Sequence, residues 1–176
     1  MVQIKAMDML KYHMLILNQK EKTLSFEQAK EKALRILEYR SHSEREMRDK
    51  LKRAGAQSDD IEHVLSFLRE YRFLNDGDYA VRLAKDLKNL RKLGKNRVRA
   101  ELVKKGIAPG LIHNALEEID WDSEDILLPM VEKKLMGNFD KKNKDKCIRY
   151  FLYKGYSFDE IKHAIEKIQS EEQNGL

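Results

Sequence analysis

The stretch Met47-Arg48-Asp49-Lys50-Leu51-Lys52-Arg53-Ala54-Gly55, followed by Ile61, Val64, Leu65 and Leu68, decides the fold because its spacing recurs twice. With each glycine at zero, apolar residues occupy positions −8, −4, +6, +9, +10 and +13 around Gly55, Gly106 and Gly155. The later copies place Val98, Leu102, Ile112, Ala115, Leu116 and Ile119, then Cys147, Phe151, Ile161, Ala164, Ile165 and Ile168, at those positions. The glycines lie 51 and 49 residues apart. Self-similarity at about 50 residues predicts stacked units that bury their apolar faces against one another.

The composition favours helices. The 176 residues are 37% charged and include only two prolines and eight glycines, whereas sheets need β-branched residues and frequent turns. The net charge of +5 is compatible with an anionic partner. A single cysteine excludes an internal disulfide and fits a reducing compartment. With no apolar run of membrane-spanning length and no leader sequence, we expect a cytoplasmic protein. We also expect a monomer.

Capping signals divide each copy into three helices. Ser25, Ser43 and Ser157 each precede Gln or Glu by three residues, the pattern of a capping box, and glycines including Gly94 stand where helices should end. The predicted helices are 26–40, 44–54, 59–72, 77–93, 95–105, 109–120, 124–136, 140–154 and 158–171. We therefore predict an all-α fold, an elongated and curved array of three-helix repeats. The repeats are 25–75, 76–122 and 123–171, with an unassigned segment 1–24, where Tyr12–Leu17 could be a strand or a helix end, and a frayed tail 172–176.

Four stretches also resemble a known family. They are Ser43-Glu44-Arg45-Glu46-Met47-Arg48-Asp49-Lys50-Leu51, Phe73-Leu74-Asn75-Asp76-Gly77-Asp78-Tyr79-Ala80, Gly94-Lys95-Asn96-Arg97-Val98-Arg99-Ala100-Glu101-Leu102 with Lys105-Gly106-Ile107, and Arg149-Tyr150-Phe151-Leu152-Tyr153-Lys154-Gly155-Tyr156. In this order and spacing they resemble the RecX family over about residues 27–170. Many relatives carry a longer amino-terminal region, and residues 1–24 match no repeat.

The resemblance implies a function. Members of this family are built of tandem three-helix repeats and are not enzymes. They regulate the RecA recombinase in homologous recombination, DNA repair and the SOS response. The resemblance implies that they bind in the helical groove of the RecA filament on single-stranded DNA and usually inhibit it, and that some also bind DNA directly. It implies no cofactor.

The charge of the chain is concentrated in the second repeat. Between positions 82 and 105 there are ten basic residues and two acidic ones, a balance of +8 that exceeds the +5 of the whole chain. The basic residues are Arg82, Lys85, Lys88, Arg91, Lys92, Lys95, Arg97, Arg99, Lys104 and Lys105. On a helix, Arg82, Lys85, Lys88 and Lys92 lie opposite the apolar stripe Ala80, Leu83, Leu87 and Leu90. Such a stripe could bind phosphates or an acidic protein groove, or could be an ordinary solvated face.

The third repeat offers a second surface. Positions −5 and −2 hold Lys50 and Arg53 in the first repeat and Glu101 and Lys104 in the second, but Tyr150 and Tyr153 in the third. Charged residues at equivalent positions imply exposure, so we expect both tyrosines at the surface, beside Arg149 and Lys154. Aromatic side chains among basic ones suit base stacking or a protein contact, although a terminal repeat could also use them to cover its own end.

The remaining residues point to packing. Cys147 is expected to be a buried small hydrophobe, and Tyr79 and Trp121 to pack between repeats, while Asp76 is a plausible helix cap. The histidines show no metal-ligand spacing, and no nucleophile or phosphate-binding motif is present. Two hypotheses remain from the sequence: a regulator seated in a recombinase filament, and a helical protein that binds DNA alone.

Overall fold

The structure, a computed structural model, describes residues 24–122 and 124–174. Within them all regular secondary structure is helical, apart from an isolated parallel bridge between Leu24 and Ala56. The helices are α1 (Phe26–Tyr39), α2 (Glu44–Arg53), α3 (Ser58–Glu70), α4 (Asp76–Asn89), α5 (Lys95–Lys104), α6 (Pro109–Glu117), α7 (Glu124–Leu135), α8 (Lys141–Lys154) and α9 (Phe158–Asn174). The all-α prediction is confirmed. Residues 1–23, including the unassigned Tyr12–Leu17 stretch, lie outside the described part.

The chain forms two compact units. The first ends at Asn75 and, in its described part, contains α1 to α3, whose buried residues form one hydrophobic cluster. The second begins at Asp76 and contains α4 to α9. It holds two clusters, one shared by α4, α5 and α6 and the other by α7, α8 and α9. Each set of three helices thus buries its own apolar residues.

The apolar positions that recur in the sequence form the hydrophobic core. Every residue at positions −8, −4, +6, +9, +10 and +13 is at most 8% exposed in all three copies. Position −4, for example, holds Leu51, Leu102 and Phe151, which are at most 1% exposed. Burying a side chain of this size stabilises the fold by about 1.5–3 kcal/mol relative to leaving it in water. The repeated spacing therefore reflects burial of the same positions in each of the three copies.

The aligned glycines end the middle helix of each copy. Gly55, Gly106 and Gly155 have φ values of 93°, 77° and 95°, a left-handed conformation that glycine adopts without steric cost. The next residue then donates its N–H to the carbonyl at position −4, at 3.1, 3.3 and 3.1 Å, which satisfies an otherwise unpaired helix carbonyl. At the helix starts, the predicted capping boxes of Ser25, Ser43 and Ser157 are all formed.

Some helix boundaries differ from the prediction. α4 ends at Asn89 instead of residue 93, because the backbone turns at Lys92, whose φ is 52°. The N–H of Leu93 then bonds to the carbonyl of Leu87 at 3.2 Å, and Leu90, predicted as part of the apolar stripe, is 78% exposed. At the other end of the chain, α9 continues to residue 174, three residues past its predicted end.

The prediction for Gly94 was wrong. This glycine does not end α4 in a left-handed conformation; it precedes α5 as the N-cap, with φ −75° and ψ 163°. Asp76 is the first residue of α4. Pro109 lies at the start of α6, where its missing N–H costs no hydrogen bond. Pro129 lies inside α7.

Candidate interaction surface

The basic residues of the second repeat fall on two separate faces instead of one stripe. Lys92 lies in the loop after α4, so it no longer continues the helical row of Arg82, Lys85 and Lys88. That loop turns toward α8, whereas the lysines of α4 point toward the end of α6. The two faces have different neighbours and therefore different chemistry.

Lysines on the first face are held by the repeat's own acceptors. The Nζ of Lys85 lies 3.0 Å from an Oε1 of Glu118, and that of Lys95 lies 3.2 Å from Glu117. Lys88 donates to the backbone carbonyl of Asp120. We call Lys85, Lys88 and Lys95 the paired basic face. Two of these ammonium groups pair with carboxylates and the third donates to a carbonyl. The face therefore presents less positive potential than three unpaired lysines would.

Trp121 packs against this face. Its indole Nε1 donates to the carbonyl of Leu116 at 2.7 Å, and its ring lies 5.9 Å from the Nζ of Lys88. The ring is half-buried against the cluster of α4, α5 and α6. Trp121 is therefore a packing residue at the end of the second repeat.

The loop before α5 contacts the end of α8 through the backbone. Gly94 donates its N–H to the carbonyl of Lys154 at 3.0 Å, and Asn96 donates to the carbonyl of Gly155 at 3.2 Å. The hydroxyl of Tyr156 donates to the carbonyl of Lys92 at 3.2 Å, and the Nζ of Lys154 lies 3.4 Å from the carbonyl of Arg91. This contact brings together the two surfaces that the sequence predicted separately.

Cations lie over both exposed tyrosines of α8. The guanidinium of Arg97 lies 5.0 Å from the ring centroid of Tyr153, which is 72% exposed. The ammonium groups of Lys134 and Lys154 lie 4.6 and 5.7 Å from the ring of Tyr150, which is 42% exposed. The predicted exposure of both tyrosines is confirmed. These distances fall within the range of cation–π attraction, so the rings and cations orient one another.

We call this second face the α5–α8 surface. It comprises Arg91, Lys92, Arg97, Lys134, Tyr150, Tyr153 and Lys154. Lys134 was not predicted from the sequence, because it lies in α7, far along the chain from the tyrosine that it contacts. No local pattern marks it. The surface presents cationic and aromatic groups side by side, a combination that suits anionic or aromatic ligand groups.

One carboxylate borders the α5–α8 surface. Glu101 lies 3.0 Å from the Nε of Arg97 and 3.0 Å from the Nζ of Lys104. The hydrogen bond from Lys104, together with the charges of Lys104 and Arg97, outweighs partial burial and lowers the pKa of Glu101 below its ordinary value. Arg97 is therefore shared between Glu101 and the ring of Tyr153.

Three of the predicted site residues are arginines outside the ion pairs and cation–π contacts described above. Arg82, Arg99 and Arg149 are exposed, and no ion pair joins them to any residue in the parts of the chain described here. Two residues span about 200° of a helix, so Arg99 points away from Arg97 on α5. Arg82 precedes Lys85 by one turn of α4, and Arg149 precedes Tyr153 by one turn of α8, so each of these two arginines stands next to one of the faces.

Cys147 and Tyr79, for which the sequence predicted packing, are both buried, each in the hydrophobic cluster of its own repeat. Burial raises the pKa of the Cys147 thiol, and Tyr79 is 7% exposed within the cluster of the second repeat. His63 and His163 are exposed. Within residues 24–122 and 124–174, no group of histidine, cysteine and carboxylate side chains could hold a metal ion. None of the helices in that part combines the length and apolar character that a membrane crossing requires.

Comparisons with known proteins identify the family. Residues 29–68 match the model of the first three-helix domain of RecX, and residues 75–116 match that of the second. The regulatory protein RecX of Clostridium perfringens strain 13 is 34% identical over 154 residues, which cover 84% of this chain and 71% of the relative. The regulatory protein RecX of Vibrio parahaemolyticus is 33% identical over 139 residues, covering 78% and 89%.

A solved structure shares the fold. The crystal structure of RecX from Lactobacillus salivarius superposes with a TM-score of 0.74 at 24% identity, over 82% of this chain and 96% of that one. The two matched domain models end before the third repeat, whose assignment rests on its register around Gly155 and on its own buried cluster. With relatives above 30% identity aligned over most of both chains, the chain belongs to the RecX family of regulatory proteins.

Proposed function

We propose that this protein inhibits the RecA recombinase by binding in the groove of the RecA filament on single-stranded DNA, using the α5–α8 surface. Membership of the RecX family supports regulation of RecA. The observation that carries the choice of surface is the position of Arg97, which lies 5.0 Å from Tyr153 of α8 and joins cations of one repeat to aromatic rings of the next. No catalytic step is proposed.

The chemistry of the surface fits a protein–nucleic acid filament. Arg91, Lys92 and Lys134 supply positive charge, which steers a protein toward an anionic partner. Tyr150 and Tyr153 supply rigid, amphipathic rings of the kind that dominate binding energy in protein interfaces. The paired basic face is a weaker candidate, because a partner would have to displace Glu117 or Glu118 before reaching its lysines.

The second candidate is direct binding to single-stranded DNA. It is favoured by the 72% exposure of Tyr153 beside Arg97, since an exposed ring next to a cation can stack on a base while the cation meets a phosphate. The two functions differ in salt dependence. Binding to DNA alone should fall steeply as salt rises, because each neutralised phosphate releases counterions. A contact with protein in the filament groove should persist better.

Co-sedimentation tests the proposal. The protein is mixed with preformed RecA filaments on single-stranded DNA, or with that DNA alone, over a series of salt concentrations, and RecA-dependent strand exchange is measured in parallel. We expect binding to the filament to exceed binding to the DNA, and strand exchange to slow. Equal binding to both would favour the second candidate, and filament binding with faster strand exchange would contradict inhibition.

Two charge-matched variants identify the surface. Arg91→Gln/Arg97→Gln removes two charges from the α5–α8 surface, and Lys85→Gln/Lys88→Gln removes two from the paired basic face. Both lower the net charge by the same amount. We expect the first variant to bind the filament about tenfold more weakly and the second to stay within about twofold, since a factor of ten corresponds to about 1.4 kcal/mol. Equal losses would mean that only the overall charge matters.

A further inference from the structure

The contact between Gly94 and Gly155 is closer than any side chain would permit. A Cβ atom added to Gly94 would lie 2.4 Å from the carbonyl carbon and oxygen of Gly155 and 2.5 Å from the nitrogen of Tyr156. A Cβ added to Gly155 would lie 2.3 Å from the nitrogen of Arg97. Both neighbours are backbone, which cannot move aside as the end of a flexible side chain can. The two chain segments therefore approach each other only because both residues are glycine.

The local conformation of Gly94 does not require glycine. Its φ of −75° and ψ of 163° are extended backbone, which any residue adopts. As an N-cap, glycine also forgoes the side-chain hydrogen bond that Ser25, Ser43 and Asp140 supply to their helices. The close approach to α8 is the reason left for a glycine at this position, and it gives up a capping bond to make that approach possible.

The contact fixes the parts of the α5–α8 surface relative to one another. Arg97 follows Gly94 by three residues, and Tyr153 precedes Gly155 by two, so the pair at 5.0 Å lies beside the contact. On the other side, the carbonyls of Arg91 and Lys92 accept bonds from Lys154 and Tyr156. If the backbones separated, the cations from the loop and α5 would move away from the tyrosines of α8.

We propose that Gly94 is a positioning residue: its contact with Gly155 holds the basic residues of the second repeat against the tyrosines of the third, and this spacing determines affinity for the partner. The inference rests on the proposed function as far as it concerns affinity. The spacing itself is a property of the free protein and can be measured without any partner.

The test compares Gly94→Ala with Gly110→Ala. Gly110 lies in the first turn of α6, and a Cβ there would meet no atom within 4 Å, so this variant adds the same methyl group without a clash. The first readout is amide hydrogen exchange at Asn96. This amide is in the first turn of α5, where N–H groups lack a helical partner, so its bond to Gly155 is its source of protection. The second readout is affinity for RecA filaments on single-stranded DNA.

We expect Gly94→Ala to expose the Asn96 amide and to weaken filament binding about tenfold, with both properties unchanged in Gly110→Ala. If the Asn96 amide of Gly94→Ala exchanged at the parent's rate, the proposed effect of Gly94 on the contact would be wrong. If that amide exchanged faster but filament affinity did not fall, the proposed role of the contact in binding would be wrong. A parent chain that does not bind the filament would overturn the proposed function and with it the role in binding, while the exchange result would still decide the spacing.

A milder variant covers the case in which Gly94→Ala does not fold. Tyr156→Phe keeps the buried ring and removes only the hydroxyl that bonds to the Lys92 carbonyl at 3.2 Å. Because one hydrogen bond contributes modestly, we expect faster exchange at Asn96 and an affinity lower by about fivefold or less. A Tyr156→Phe protein with the parent's exchange and affinity would contradict the proposal.

Discussion

The paired basic face and the α5–α8 surface are both rich in lysine and arginine, yet they present different chemistry. Lys85 and Lys95 lie 3.0 and 3.2 Å from carboxylates of their own repeat. Lys134 lies instead over the ring of Tyr150, at 4.6 Å, and Arg97, which also pairs with Glu101, lies 5.0 Å from the ring of Tyr153. A ring attracts a cation without neutralising it, whereas a carboxylate cancels its charge. The positive charge presented to a partner therefore depends on the contacts of each cation, and not only on the number of basic residues in the sequence.

Both faces depend on α5, so the largest effect is expected from its core. Lys95 belongs to the first face and Arg97 to the second, and Leu102 anchors their helix with no exposed surface. We expect Leu102→Ala to lower the free energy of unfolding by about 2–5 kcal/mol, the cost of a cavity in a packed core. Chemical denaturation followed by circular dichroism measures this change.

Lys104→Ala is the matched control for Leu102→Ala. Its side chain is 60% exposed and bonds to Glu101, so its removal should change stability by no more than about 0.5 kcal/mol. Equal losses from the two variants would contradict the assignment of inner and outer sides of α5.

The tyrosines separate a binding surface from a structural end cap. We expect Tyr153→Ala to weaken filament binding by more than about 1 kcal/mol while leaving stability within about 0.5 kcal/mol, because the ring is mostly exposed in the free protein. Tyr39→Ala is the control, since that tyrosine is 90% exposed at the end of α1 and should affect neither property. If Tyr153→Ala lowered the melting temperature and left binding unchanged, the ring would be an end cap.

The fold could be predicted closely because its determinants are local and repeated. The apolar positions around Gly55, Gly106 and Gly155 have a helical period, and each capping serine directly precedes the first residue of a helix. Where one local signal stood alone, the prediction failed. Gly94 suggested a helix end by its residue type, but its glycine reflects a contact with Gly155, which is 61 residues away in the sequence.

The candidate surface could be predicted only in part. Sequence reasoning found the tyrosines and most of their neighbouring cations, because equivalent repeat positions reveal exposure. It could not separate Lys85 and Lys88 from Arg91 and Arg97, since the partners of the lysines, Glu118 and Asp120, come from the segment after α6. Pairing between helices depends on tertiary packing, which a count of charges does not contain.

The smallest expected effect concerns Glu101, the carboxylate beside the α5–α8 surface. Its pKa is lower in the folded protein than its ordinary value of 4.5, chiefly through the hydrogen bond from Lys104. A lowered carboxyl pKa stabilises the fold above pH 4.5, and that contribution is lost as the pH falls through the folded-state pKa. We expect Glu101→Gln to lower the free energy of unfolding by at most about 0.5 kcal/mol at pH 7, because the pair is partly exposed, and to leave it unchanged at acid pH.

The same variant should slightly strengthen filament binding, since it removes the carboxylate that pairs with Arg97. Glu117→Gln removes the partner of Lys95 on the other face and should leave binding unchanged. Unfolding curves at both pH values and a filament titration measure these effects, and stronger binding from Glu117→Gln alone would place the contact on the paired basic face.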